Sequence, residues 1–191
     1  MDHLGTVNLA TDRLLMRRFC IGDVESGFNN WTSDNMTTKY LRWKTHENIA
    51  KTQAILENWI GNYSRKDYYQ WAILLKENLR LGPIGTISVN KVDENIGMVH
   101  VGFCIGSMWW NRGIMSEALS KIIAFMFEKV HVNRIESWHD PKNIASGKVM
   151  IKCGMLYEGT LRAGDYNNTG IVDACEYAIL RDDKIGCGVR N

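Results

Sequence analysis

Trp109-Trp110-Asn111-Arg112-Gly113-Ile114-Met115-Ser116-Glu117-Ala118-Leu119 is the stretch on which the fold turns. Just upstream, residues 98–105 read as a strand. Just downstream, Met115, Ala118, Leu119, Ile122, Met126 and Val130 recur at helical spacing. A strand that passes through a short loop straight into a helix brings that helix's unpaired N–H groups and positive dipole end to the edge of a sheet, where they favour an anion. Gly113 has no Cβ to obstruct a close approach and admits positive φ. Arg112 adds a cation. The P-loop Gly-Lys-Ser/Thr and the dinucleotide G-x-G-x-x-G are both missing, so these residues by themselves support a phosphate or pyrophosphate site and nothing more specific.

Outward from this loop the pattern predicts strands at residues 13–19, 69–76, 84–92, 98–105, 134–139, 157–162 and 172–180. It predicts helices at 21–31, 46–63, 115–130 and 143–153. Val24, Phe28 and Trp31 stripe the first helix. Ile49, Ile55, Leu56, Trp59, Ile60 and Tyr63 stripe the second, for which Thr45 is the expected cap. Three strands in a meander followed by alternating helices and strands give an α/β (α+β) domain with a central mixed, mostly antiparallel sheet of about seven strands and about four helices on both faces. One domain over 1–182 is expected, with 183–191 as a flexible tail.

Composition narrows the function classes. Hydrophobic residues make up 45% and charged residues 23% of 191, and the net charge is +2, without a lysine/arginine cluster of the kind that tracks phosphate backbones. No nucleic-acid partner is expected. Apolar runs are too short and too interrupted to span a membrane. Met1-Asp2-His3-Leu4 lacks the basic and apolar regions of a secretion signal, and the five cysteines are scattered without metal or disulfide spacing. A cytoplasmic protein with reduced thiols, no metal and no membrane partner is the expectation, as a monomer or homodimer.

The central loop resembles motif A of the GNAT superfamily of N-acetyltransferases. It is closest in form to the branch related to ribosomal-protein N-terminal acetyltransferases, RimJ/RimL-like, where the pattern is W-x-K/R-G-I/Y-x-S/T-E-A-L. Trp110, Arg112, Gly113, Ile114, Ser116, Glu117, Ala118 and Leu119 match; Trp110 and Met115 depart from the superfamily's general Q/R-x-x-G-x-G/A. Two further blocks follow in the family's order. Residues 143–155, with Asn143, Ser146, Val149 and Gly154, resemble motif B, physically a short helix capped by Asn143 and closed at Gly154. Tyr157-Glu158-Gly159-Thr160-Leu161-Arg162, then Asn168-Thr169-Gly170, Asp173 and Tyr177, resemble the branch's tail.

The resemblance implies a GNAT fold and acetyl-CoA (coenzyme A) as donor. The acceptor it implies is a primary amine, a protein α-amine or a small molecule, acetylated by direct attack in a ternary complex. It assigns the pyrophosphate to Arg112, Gly113, Ile114, Met115 and Ser116, and pantetheine to a splayed strand end at Phe103, Cys104 and Ile105. Asn143 and Ser146 would face the cofactor, with Ser146 the acid for the leaving thiolate and Asp165 the base. A non-catalytic acyl-CoA-binding module of the same fold is the alternative. Plainer readings stand beside these. Glu117 suits the dipole of a first turn, Cys104 a strand core and Asp165 a Gly/Asn-rich turn. His139 and Asp140 end a strand. The seven tryptophans build core, with Trp31, Trp43 or Trp59 available to wall an acceptor groove. Nothing in the sequence names the acceptor.

Overall fold

The computed structural model describes residues 1–186. The chain begins with β1 (Leu9–Ala10) and β2 (Leu14–Arg17), followed by a 3-10 turn (Ile21–Asp23), α1 (Val24–Gly27) and a wider π turn (Phe28–Thr32). Next come α2 (Asn35–Thr38), α3 (Ile49–Asn62), β3 (Gln70–Leu75), β4 (Gly85–Asp93) and β5 (Met98–Ile105). The helix α4 (Ile114–Phe125) runs into a second π turn (Met126–Val130). After it come β6 (Arg134–His139), α5 (Ile144–Lys152), β7 (Leu156–Asn167), β8 (Gly170–Leu180) and α6 (Arg181–Gly186).

Eight strands form one sheet in the order β1-β2-β3-β4-β5-β6-β8-β7. Every junction is antiparallel except β5–β6. That parallel junction is where the chain crosses over through α4, since a parallel neighbour cannot be reached by a hairpin. β3 is buried at every position, and its alternation sorts the core. Trp71, Ile73 and Leu75 join Leu119, Ile122 and Met126 of the α4 side. Ala72 and Leu74 join Phe19, Trp31 and Leu56 of the α1 and α3 side. With period 2, these are opposite faces of the sheet. Helices on both faces are thus what the alternation demands.

Several expectations are corrected. The strand beyond the expected seven is β1, too short at two residues to show any alternation. The cap of α3 is Asn48, whose side chain accepts from the Lys51 amide at 3.2 Å, not Thr45; Thr45 instead bonds Thr38 through its hydroxyl. Asn143 occupies the N-cap position of α5 but its side chain makes no capping bond. At the other end of α5 the expected stop is present. Gly154 has φ +84°, its amide donates to Ile151 and that of Met155 to Met150, a Schellman arrangement with both methionines buried. Of the expected tail, 183–186 fall in α6 (Arg181–Gly186) and 187–191 lie outside the described residues. No helix among the described residues is long and apolar enough to cross a membrane.

Candidate active site

β5 and β6 are paired only at Met98↔Arg134, Val99↔Ile135 and His100↔Glu136. Beyond that, β5 stays with β4 as far as Gly85↔Ile105, while β6 follows β8 as far as His139↔Cys175. The sheet therefore forks at His100. Across the base of the fork the Ser137 hydroxyl donates to the Val101 carbonyl at 2.8 Å. At its mouth Trp110 Nε1 donates to the Ile105 carbonyl at 2.9 Å. These two carbonyls face away from β4, and the antiparallel alternation puts the N–H and C=O of Phe103 on the same side, with no strand opposite. An extended amide-bearing ligand fits that gap as a substitute strand.

The fork opens onto the start of α4. Gly113, at φ 71°, is its N-cap residue, and the first helical bond is the Glu117 amide to the Gly113 carbonyl at 3.1 Å. The amides of Ile114, Met115 and Ser116 thus begin the helix without helical partners. A Cβ placed on Gly113 would stand 3.7 Å from Arg13 Nη2 and 3.9 Å from Lys152 Nζ. Two cations flank a turn of free amides, the arrangement an anion needs. Met115, the bulky departure from the family pattern, is 6% exposed and packs in the core beneath α4, leaving only its backbone toward the turn.

α5 is the opposite wall. A cleft of about 620 Å³ is lined by Phe103, Cys104 and Ile105, by Gly113, Ile114, Met115 and Ser116, and by Asn143, Ser146 and Val149. Its further lining includes Lys142, Lys148 and Lys152 but no carboxylate. Nine of the ten residues expected to hold the donor are in that lining; Arg112 is exposed outside it, its carbonyl accepting from Arg13 Nη1 at 3.0 Å. Burial pushes the Cys104 thiol up to about 12, so it is no thiolate at neutral pH.

Asp165 is not among the lining residues, and it lies on β7 just past a bulge, not in a turn. Its Oδ1 accepts from Arg42 at 2.6 Å and from the Tyr166 amide at 2.7 Å; its Oδ2 accepts from Trp138 Nε1 at 2.9 Å. The tip of the β7–β8 hairpin is tied to the loop between α2 and α3 by Asn168, which donates to Thr38 and Trp43 carbonyls at 2.9 and 2.8 Å. Of the tryptophans expected to wall a groove, Trp31 is fully buried, stacked on Trp59 at 6.2 Å and edged by Trp43 at 5.9 Å. They make core, while Trp109 and Trp110 line the cleft.

Sequence reasoning missed Arg13 and Lys152. Arg13 is 99 residues from Arg112, and it is placed by Glu117, which accepts from the Arg13 amide at 3.1 Å, from Arg13 Nε at 2.6 Å and from Thr11. Desolvation works against the charged Glu117, but the bonds from Thr11 and Arg13 outweigh it and lower its carboxyl below the usual range. Lys152 had a legible signal, one turn past Lys148 on the cleft face of a helix.

The family description "Acetyltransferase (GNAT) domain" matches residues 13–156. An uncharacterized N-acetyltransferase of Bacillus subtilis (strain 168), YoaA, is 28% identical over 173 residues, 91% of this chain and 96% of that one. The [ribosomal protein uS5]-alanine N-acetyltransferase of Escherichia coli (strain K12) is 33% identical over 70 residues, 37% of this chain and 36% of that one. Among solved structures, the ribosomal L7/L12 α-N-protein acetyltransferase RimL in complex with coenzyme A superposes with a TM-score of 0.80 at 18% identity, covering 93% of this chain and 99% of its own.

Proposed function

The chain belongs to the GNAT acetyltransferase family, and from that premise we propose that it moves the acetyl group of acetyl-CoA to a primary α-amine by direct attack, with both substrates bound together. The observation that carries this reading is the fork of β5 and β6 opening onto a helix start flanked by Arg13 and Lys152. A strand-like slot and an anion cradle in one cleft suit a ligand that is amide-rich at one end and phosphorylated at the other.

In this reading Gly113, Ile114, Met115 and Ser116 hold the pyrophosphate through backbone amides, with Arg13 and Lys152 adding charge. Arg112 contributes backbone only. Phe103, Cys104 and Ile105 hold the pantetheine arm, and the free N–H of Phe103 is available to the thioester oxygen. Asn143, released from capping, is free to turn to the donor. Ser146, the one hydroxyl of α5, protonates the departing sulfur. Bound acetyl-CoA supplies an activated thioester; the chain supplies position and charge.

The acceptor class follows from proton energetics. A lysine amine, pKa about 10.4, is neutral in about one molecule in 2,500 at pH 7, a cost of about 4.6 kcal/mol. An α-amine near 7.7–8.0 costs only about 1–1.4 kcal/mol. A cleft without a carboxylate in its lining suits the second. One relative carries the name of an alanine N-acetyltransferase of ribosomal protein uS5, so alanine- and serine-initiated hexapeptides head the acceptor panel, with amino-acid amides and spermidine beside them. Free-thiol release over that panel is the test, together with the rise in Tm on adding acetyl-CoA. A Tm rise with thiol release from an α-amine is expected. A Tm rise without release from any amine would make the chain a binding module, and no Tm rise would remove the donor site altogether.

A further inference from the structure

His100 sits on β5 at the last position where β5 and β6 are paired, at the vertex of the fork and one residue before the free edge begins. It is 4% exposed, and neither ring nitrogen has a hydrogen-bond partner. Buried polar side-chain atoms nearly always have one, and an apolar ring would fill the same space without stranding two nitrogens. The imidazole lies against Trp138, with 3.7 Å between ring centroids. Charged groups approach it from every neighbouring segment. Lys91 is opposite on β4, and Glu136 is opposite on β6 with its carboxylate held by Arg134. Asp165 comes from β7 and Arg42 from the loop between α2 and α3. Burial, then Arg42 and Lys91, hold the ring at about 4, with Asp165 opposing. The ring is neutral at physiological pH, with a lone pair to offer.

We infer that His100 takes the proton from the acceptor amine, and that the Arg42–Asp165 pair is the cover which the acceptor displaces to reach it. This rests on the acetyltransferase reading above. Asp165 is the less available group because its two oxygens already accept from Arg42, Trp138 and the Tyr166 amide. Arg42 is the movable half of the cover: it is 50% exposed against 13% for Asp165 and lies 5.4 Å from the ring centroids of both Trp138 and Tyr166, and an exposed cation is held weakly by its ion pair. Opening it carries a positive charge away from the imidazole and brings polar atoms to it, and both changes raise its affinity for a proton. As the amine nitrogen bonds to the acyl carbon, its proton passes to a ring nitrogen of His100. The electron pair of the breaking carbon–sulfur bond stays on sulfur, which takes the Ser146 proton. Imidazolium then returns a proton to the serine oxygen through water.

The test uses the full chain and the fastest amine of the panel. His100→Gln should lower kcat by about 10²–10³-fold while KM for acetyl-CoA and the acetyl-CoA-induced Tm rise stay as in the wild type. In His100→Ala, added imidazole should recover at least about tenfold of the loss by occupying the space beside Trp138, which a purely structural role would not give. In ¹⁵N-histidine NMR of the free protein, the His100 ring should stay neutral to below about pH 5 and should titrate higher in Arg42→Ala. That measurement keeps the native histidine and stands even where a His100 variant fails to fold. His100→Gln with unchanged kcat, Asp165→Asn with a larger loss than His100→Gln, or a ring titration indifferent to Arg42→Ala would each overturn the inference. In all three cases wild-type thiol release would persist, whereas its absence with every amine would overturn the acetyltransferase reading instead.

Discussion

The bank of the cleft formed by the start of α4 and by α5 is made mostly of backbone: free amides after Gly113, and a helix closed by its own Schellman turn. A second bank, Met36, Thr37, Tyr40 and Leu41 of the lining with the β7–β8 tip fastened behind them, is held by side chains that reach across the chain. Arg42 meets Asp165 at a separation of 123 residues, and Asn168 meets Thr38 at 130. Under the proposed function the first bank is the one that holds the phosphorylated donor, common to every reaction of this kind. The second is left for the acceptor, and it is fastened by polar side-chain contacts.

Four measurements would break or sharpen that contrast. The largest effect is expected at the chemical step. Ser146→Ala should lower kcat by about 10²-fold, about 2.7 kcal/mol, with acetyl-CoA affinity nearly unchanged; a loss confined to affinity would make Ser146 part of the cradle only.

Next is Asp34, which ties the start of α2 to the loop leading from β5 to α4. It caps α2 through the Met36 amide at 2.9 Å and also accepts from the Ser107 amide at 2.9 Å and the Thr37 hydroxyl at 2.7 Å. Burial works to raise its pKa, but the bonds from Ser107, Thr37 and Met36 outweigh it and hold the carboxyl at about 2. A depressed carboxyl stabilises the fold above its unfolded value and loses that contribution as pH falls through its folded value. Stability of about 2 kcal/mol should therefore disappear between about pH 4 and pH 2, and Asp34→Ala should remove a similar amount at pH 7 and flatten that part of the curve. Urea melts at both pH values check it.

Third, Gly113→Val forces a β-branched residue into φ 71° and sets its side chain between the two cations. Acetyl-CoA affinity should fall at least about tenfold, some 1.4 kcal/mol, and calorimetric titration reads it directly. The smallest effect is expected from Lys152→Ala, about threefold in acetyl-CoA affinity at low salt and less at 0.5 M, because an exposed cation is screened. Equal losses at both salt concentrations would place Lys152 in a desolvated contact.

The two banks were unequally legible. β5 and β6 run over 98–105 and 134–139 as the alternation predicts, α5 starts and stops within a residue of its expected bounds, and α4 starts within one but gives way at Phe125 to the π turn that fills the rest of the expected 115–130. Gly113 was visible because a helix start is set by spacing of a few residues, whereas Ser146 was singled out by the resemblance of residues 143–155 to motif B. α2, four residues long, and β1, two, carry too little pattern to read. The cap of α3 moved from Thr45 to Asn48 because both positions hold capping residue types and only packing decides between them.

By itself, then, the sequence determined the longer elements, the two-faced core and the turn of free amides at Gly113. Each depends on local periodicity or on backbone freedom at one residue. The tertiary structure alone decided where β5 leaves β6, that Arg13 would stand at Gly113, and that Asp165 would be bound while His100 was not. Those outcomes depend on which distant side chains share a dielectric and compete for the same hydrogen bonds, and that competition is resolved only once the sheet has closed around them.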